Sequence, residues 1–421
     1  MIFNKPIHRL INSIHLILEK IAGHLTYLFI ERKEGQVYCI QLAQSLVRHK
    51  TYHDEGAEDK FTSVLLHPET SYTRVQPKYT NRNTAWNITP QTVPPLYLYS
   101  ITNACVSNLG VISTFDGHII TESADQFISK KQKLDGFIKI SENRFILKKI
   151  QDVHIFKGKH ILLKNKHAEN YGHFILECLP NIRLLSEISG LANIKVVIHK
   201  TENPYLRRSF YEALALAGVQ KEQIVEFGGE NNIGVFEELL YPSPITNHPT
   251  WKSKVSITYC EQLANKINES DRSKPERRSN PSAYLYVSRG TGFKRRPTNE
   301  SDVIALLVSA GYKVIYPEKM SVQEQIAIFS CAKVIVGILG AAMTNIIFSP
   351  QTTQIIMLTP DSISGYFFWD LANLKKQDYY ALSCKTTSQK RGYGDADFYV
   401  DINVLNEAIG IASRSISDQR T

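Results

Sequence analysis

Three short segments of this 421-residue chain carry side chains whose types and spacing suit chemistry. In Asn170-Tyr171-Gly172-His173-Phe174-Ile175-Leu176-Glu177, His173 and Glu177 stand four residues apart, which puts them on one face of a helix. A carboxylate one turn on can orient an imidazole, and imidazole is the side chain whose pKa suits a general base near neutrality. The same spacing equally suits a histidine that caps or packs a helix start beside a solvated glutamate. In Ser288–Arg296 the cations Arg289, Lys294, Arg295 and Arg296 fall within eight positions. On a turn they can clamp a diphosphate through charge-assisted bonds, or simply form a solvated basic loop. In Gly337–Asn345 the small residues around Gly340 and Ala341 let a ligand approach the backbone, and a helix opening there offers free N–H groups to a phosphate. Tight helix–strand packing demands the same small residues. The segment is neither a Walker loop nor a G-x-G-x-x-G turn. Asp395-Ala396-Asp397 has the form of a metal-holding pair, but it sits ahead of the β-like stretch 398–402 and reads as loop.

The surrounding pattern places these segments at the ends of strands. After a small β region, with runs at 106–113, 118–122 and 144–147 and a hairpin turn at Asp116-Gly117, the chain alternates strand and helix. Strands are predicted at 161–163, 194–198 and 224–227, with helices at 171–189, 204–217 and 251–270. A polar, proline-punctuated stretch at 271–283 reads as a linker. A second alternation follows, with strands at 284–288, 313–316, 333–337 and 354–358 and helices at 301–310, 321–332 and 341–348. Ser321 with Glu324 three residues on forms a capping box. Two such blocks predict an α/β fold of two Rossmann-like domains around a cleft, with ligands at the carboxyl ends of the strands. The boundaries read as 1–95 (helical and irregular), 96–270, the linker 271–283, and 284–421 with a terminal helix.

Composition excludes disorder and fibrous repeats: 43% of residues are hydrophobic and 21% charged. Lys+Arg 49 against Asp+Glu 40 leaves +9, a modest excess that suits an anionic partner. Basic residues interleaved with aromatics, as nucleic-acid binding favours, do not occur, so no nucleic acid is expected. Cys39, Cys105, Cys178, Cys260, Cys331 and Cys384 are widely spaced, with no metal or redox motif. Cys331, inside an apolar run, reads as a small hydrophobe. These features suit a reducing, cytoplasmic setting. Met1–Ile30 shows one apolar helical face broken by charges, and reads as an amphipathic segment docked on the protein's own core or on the inner membrane surface rather than as a signal peptide.

Taken together and in this order, the segments resemble glycosyltransferase family 61, whose members occur in bacterial capsule and lipopolysaccharide loci. Residues 170–185 resemble the family's Gly-His-Phe helix, 286–300 its Ser-Arg…Arg-Arg…Asn-Glu segment, and 321–358 its Ser-x-x-Glu-Gln helix, Gly-Ala turn and Asn-x-x-Phe-x-Pro stretch. The resemblance spans about residues 100–400. The chain departs from it at Leu339, where many members carry histidine, and at Asn181, where arginine or another polar residue is common.

The resemblance implies a GT-B type arrangement and a metal-independent, inverting transfer of sugar from a nucleotide-diphosphate donor, a UDP-sugar by preference, to a glycan or lipid-linked saccharide in capsule or lipopolysaccharide synthesis. No cofactor beyond the nucleotide sugar, and no metal, is implied. His173 and Glu177 would be catalytic. Arg289, Lys294, Arg295, Arg296, Asn299, Glu300, Glu324, Gln325, Gly340, Ala341 and Asn345 would bind donor. The departure at Leu339 motivates the alternative of a non-catalytic nucleotide- or glycan-binding protein on a degenerate transferase fold.

Overall fold

The computed structural model describes residues 26–31, 37–42, 61–82, 86–114, 119–128, 135, 137–141, 144–147, 152–188, 193–230, 232–248, 250–272, 284–290, 294–387 and 395–418. The two alternating blocks form two seven-stranded sheets. The first contains β1 (Phe61–His67), β2 (Leu96–Ser107), β3 (Asp152–Leu162), β4 (Lys195–His199), β5 (Ile224–Phe227) and β6 (Asn232–Pro242), ordered β5-β4-β3-β6-β2-β1, with Ile112–Ser113 paired to β2. Its β3–β6 pairs are parallel, while β6–β2 and β2–β1 are antiparallel. The second contains β7 (Tyr284–Val287), β8 (Lys313–Ile315), β9 (Val334–Ile338), β10 (Gln354–Pro360), β11 (Tyr379–Thr386) and β12 (Phe398–Tyr399), ordered β8-β7-β9-β10-β11-β12. Tyr79–Thr80 adds to β11, and every pair except β11–β12 is parallel. Strands β9 and β10 are buried at every residue, which is why they read as unbroken apolar runs rather than an alternation.

Seven helices are assigned among the described residues outside the 171–188 run: α1 (Thr121–Ile128), α2 (Pro204–Leu216), α3 (Lys254–Arg272), α4 (Glu300–Ser309), α5 (Val322–Phe329), α6 (Tyr366–Leu374) and α7 (Ile402–Asp418). The capping box opens α5 as the sequence predicts. Asn203 caps α2, with Pro204 in the first turn, where a missing N–H costs nothing. One apolar core runs from Ile161 and Val196 of the first sheet through Phe174, Leu263 and Ile346 to Leu285 and Ile335 of the second. The outer faces have their own clusters, Val336 with Leu307 and Leu405, and Ile101 with Phe236 and Leu239. Among the described residues no helix is long and apolar enough to cross a membrane.

Several expectations are corrected. Residues 61–95, read as irregular, supply an edge strand to each sheet, because short strands completed by partners far along the chain leave little local period. Thr26–Glu31 is a strand where the apolar helical face was expected to reach Ile30, and residues 1–25 lie outside the described residues. The run 118–122 is not a strand: Thr121 begins α1, whose Ala124 and Phe127 bury one helical face. The Asp116-Gly117 turn and the segment 273–283 lie outside the described residues. Cys331 is exposed, whereas Cys105, Cys178, Cys260 and Cys384 are buried thiols.

The 70–93 segment is tied to the second sheet's helices by a buried ionic network. Asp370 on α6 accepts from Arg74 Nε at 2.7 Å, Tyr72 OH at 2.9 Å and Lys252 Nζ at 2.6 Å. Burial pushes the Lys252 ammonium below its ordinary pKa, although Asp370 pulls it up. Trp86 packs on Trp369 at 4.9 Å, and Trp369 Nε1 donates to the Val75 carbonyl. Removing one member of a buried pair leaves the other charge uncompensated, at about 3–5 kcal/mol. Asp370→Ala should therefore lower unfolding stability by that amount in urea titrations. A loss below about 1 kcal/mol, the worth of a surface pair, would show that the network carries little.

Candidate active site

The imidazole of His173 is positioned by an irregular helical run, 171–188. Asn170 caps its start by accepting from Gly172 N at 2.9 Å. The first turn is α, residues 174–178 form a π turn closed from Leu179 N–H to the Phe174 carbonyl, and Leu179–Ile182 is 3-10. Pro180 lacks the N–H that a regular α-helix would use here, so the hydrogen-bond ladder changes step at this point. His173 Nδ1 lies 2.7 Å from Glu177 Oε1. With the proton on Nδ1 donated to the carboxylate, Nε2 keeps its lone pair. The ring sits between His167 at 4.9 Å and Phe367 at 5.7 Å, and 22% of the side chain is exposed.

Glu177 is buried, not solvated, with 3% of its side chain exposed. It also accepts from Asn165 Nδ2 at 2.8 Å. Burial pushes its carboxyl pKa up, but the charge and hydrogen bond of His173, with the bond from Asn165, outweigh this and hold it below the ordinary value.

The second half of the site is a cavity of about 510 Å³ at the carboxyl ends of β7 and β9. Numbered within its own block, the second sheet runs 2-1-3-4-5, and the cavity opens between strands 1 and 3, where the winding direction reverses. Crevices at such switch points are the general ligand sites of doubly wound sheets. Arg289, Gln325, Gly340 and Ala341 line one wall, with Tyr171 and Tyr205 on the other. Arg289 Nη1 and Arg295 Nη1 both donate to the Leu339 carbonyl, at 2.9 and 3.0 Å. Burial and the like charge of Arg295 lower the Arg289 guanidinium to about 10. Gly340 leaves room for the Arg289 guanidinium, which a Cβ there would displace. Arg295 itself takes a left-handed backbone, φ 65°, at a cost of roughly 1–2 kcal/mol for a residue with a side chain.

The two halves meet at Tyr171–Gly172. Tyr171 OH donates to Asn345 Oδ1 at 2.7 Å, and Asn345 Nδ2 donates to Gln325 Oε1 at 2.7 Å. A Cβ on Gly172 would overlap the Thr344 hydroxyl. His173 directly follows this joint and is not among the cavity's lining residues. Ala341–Phe348, expected as an α-helix, is a 3-10 coil, its first bond running from Met343 N–H to the Gly340 carbonyl. This tighter coil packs Met343 where a Cβ on Gly337 would stand.

Other residues expected to bind donor are engaged elsewhere. Lys294 pairs with Asp395 at 2.7 Å, and Arg296 N–H donates to Asp397 at 2.9 Å, so the Asp-x-Asp segment anchors the basic turn. Asn299 pairs with both backbone groups of Val400. Glu300 accepts from Ser288 at 2.6 Å and Tyr286 at 3.2 Å. Glu324 completes the capping box with Ser321. Among the described residues no group of three or more His, Cys, Asp or Glu side chains is placed to hold a metal. Asn165, His167 and Phe367 carried no sequence signal, because each reaches His173 only through folding. Tyr205 was legible only as the first turn of a helix.

Residues 171–356 match the family model described as Glycosyltransferase 61. The match supports a glycosyltransferase, an enzyme that binds a nucleotide sugar and an acceptor. No curated protein matches the chain. Among solved structures the chain is similar to the dodecameric iron-containing heptosyltransferase TibC in complex with ADP-D-beta-D-heptose, at 12% identity over 61% of this chain and 69% of that one, with a TM-score of 0.26.

The Glu177 geometry has a pH signature. A carboxyl whose folded pKa lies below its unfolded value of about 4.5 contributes stability that is fully present above that value and lost as pH falls through the folded one. The stability gap between wild type and Glu177→Gln should therefore be widest above pH 4.5 and narrow on acidification below it. Urea titrations across that range check this, and a gap independent of pH would show that the carboxylate is not held in its charged form by folding.

Proposed function

We propose that the chain transfers a sugar, with inversion and without a metal, from a nucleoside-diphosphate donor to a hydroxyl of a glycan or lipid-linked saccharide in capsule or lipopolysaccharide synthesis. In this reading the sheets form a GT-B pair: residues 96–270 face acceptor and 284–421 hold donor, a UDP-sugar by preference. The protein works in the cytoplasm, with residues 1–30 touching the inner membrane surface. His173 Nε2 takes the proton of the acceptor hydroxyl as its oxygen bonds to the anomeric carbon. The bond from that carbon to the diphosphate breaks on the opposite face, its electron pair passing to the departing phosphate oxygen. Glu177 stabilises the imidazolium, and Arg289 and Arg295 stabilise the developing diphosphate charge.

The observation that carries this reading is the joint at Tyr171–Asn345, which seats the base-bearing turn against the wall of the arginine-lined crevice. His173→Ala should lower turnover about 10²–10⁴-fold while donor affinity, measured by calorimetry on the same folded protein, hardly changes. Near-normal turnover in that variant would place the base elsewhere. The second reading, a non-catalytic binder, has one observation in its favour: position 339, histidine in many relatives of this type, is a buried leucine that offers only its carbonyl to the two arginines. It expects tight nucleotide binding with no donor hydrolysis over hours. Activity should survive EDTA. Loss on chelation, restored by manganese or magnesium, would overturn the metal-free assignment.

A further inference from the structure

Three features of the crevice bear on the part of the donor that lies beyond the diphosphate. Glu318 stands in the turn that follows β8, the second strand of the block in a sheet wound 2-1-3-4-5, and it lines the cavity with Pro317 and Lys319. Its carboxylate accepts no hydrogen bond from any described residue, although the chain around it is held firmly. Arg208 of α2 donates to the carbonyls of Glu318 and Met320, at 3.4 and 3.1 Å, tying the two walls together beside it. The carboxylate closely overlies Gly290, whose φ of 65° and missing side chain make room for it: a Cβ there would meet Glu318 Oε1 at 3.0 Å. From the other wall α2 presents Tyr205, 64% exposed, and Leu206.

A half-buried carboxylate with spare acceptor capacity, at the end of the second strand and beside a phosphate-binding turn, suits a vicinal diol. The two lone-pair faces of one carboxylate match two adjacent hydroxyl donors, and in dinucleotide-binding sheets an acidic residue after the second strand takes the ribose hydroxyls in this way. We propose that Glu318 holds the ribose hydroxyls of the donor nucleoside, so that the crevice selects ribonucleoside over deoxyribonucleoside diphosphates. The inference rests on reading this crevice as the donor site. Tyr205 then offers an aromatic face to the base, while Arg289 and Arg295 face the diphosphate.

Calorimetric titration of UDP, ADP, their 2′-deoxy counterparts and inorganic pyrophosphate into wild type, Glu318→Gln and Glu318→Ala tests the assignment. Hydrogen bonds to a charged partner predict that wild type prefers the ribonucleotide roughly tenfold or more. In Glu318→Ala that preference should fall to within about twofold, because the ribonucleotide weakens while the deoxynucleotide does not, and Glu318→Gln should fall between. Pyrophosphate affinity should not drop in either variant, since only a nearby negative charge has gone. A ribose preference that persists in Glu318→Ala, or is absent from wild type, overturns the assignment and leaves Glu318 as a counter-charge to Arg289. Failure of all the nucleotides and of pyrophosphate to bind wild type overturns instead the reading of the crevice as a donor site.

Discussion

The site depends on how closely the helix start at Gly172 approaches the coil Ala341–Phe348. No residue with a side chain fits at 172 while Thr344 stays in place. The Tyr171–Asn345–Gln325 chain of hydrogen bonds then fixes the approach from the side. Asn345 and Gln325 are buried and Tyr171 is half-buried, and in such surroundings a satisfied polar chain is strong and a broken one is costly. The consequence is mechanical. The turn that carries His173 is thereby joined to the coil that follows Gly340, so the imidazole is placed by the wall of the crevice as well as by Glu177.

Charge is managed differently in the two halves. Around His173 a buried carboxylate is satisfied by an imidazole and an amide, which keeps it ionised despite its burial. At the Leu339 carbonyl the crowding is of like charges instead. Two half-buried guanidiniums cross on a single carbonyl, and among the described residues no carboxylate forms an ion pair with Arg289. An anion entering there would relieve repulsion that the folded protein otherwise bears, and Gly340 and the left-handed backbone of Arg295 are the local devices that make the crossing sterically feasible. Most of the remaining polar residues nearby build the frame. Lys294 and Arg296 hold the turn to Asp395 and Asp397, while Asn299 and Glu300 lock it to β7 and to the residues before α7.

The segment before β2 is part of this frame. Its strands complete the edges of both sheets, and Arg74, Tyr72 and Trp86 bind it to α6. The same α6 carries Phe367 against the His173 ring and within 4.6 Å of Lys252 Nζ. The ionic network at Asp370 is thereby linked to the packing of the imidazole through one short helix.

Much of this was legible in the sequence. Hydrophobic periods gave away the two α/β blocks, since strands and helices buried against a sheet must repeat with their own geometry whatever else they contact. The capping box at Ser321, the His173–Glu177 spacing and the basic turn after β7 were equally local, because each is settled by residues a turn or less apart. Tertiary structure alone decided which cations meet the Leu339 carbonyl. Arg289 and Arg295 reach that carbonyl, whereas the Lys294 ammonium and the backbone N–H of Arg296 meet the carboxylate-bearing loop a hundred residues on. It also decided that Glu177 is buried rather than solvated, and that Phe61–His67 and Tyr79–Thr80 are strands, because a strand at a sheet edge takes its conformation from a partner whose distance along the chain no local pattern records.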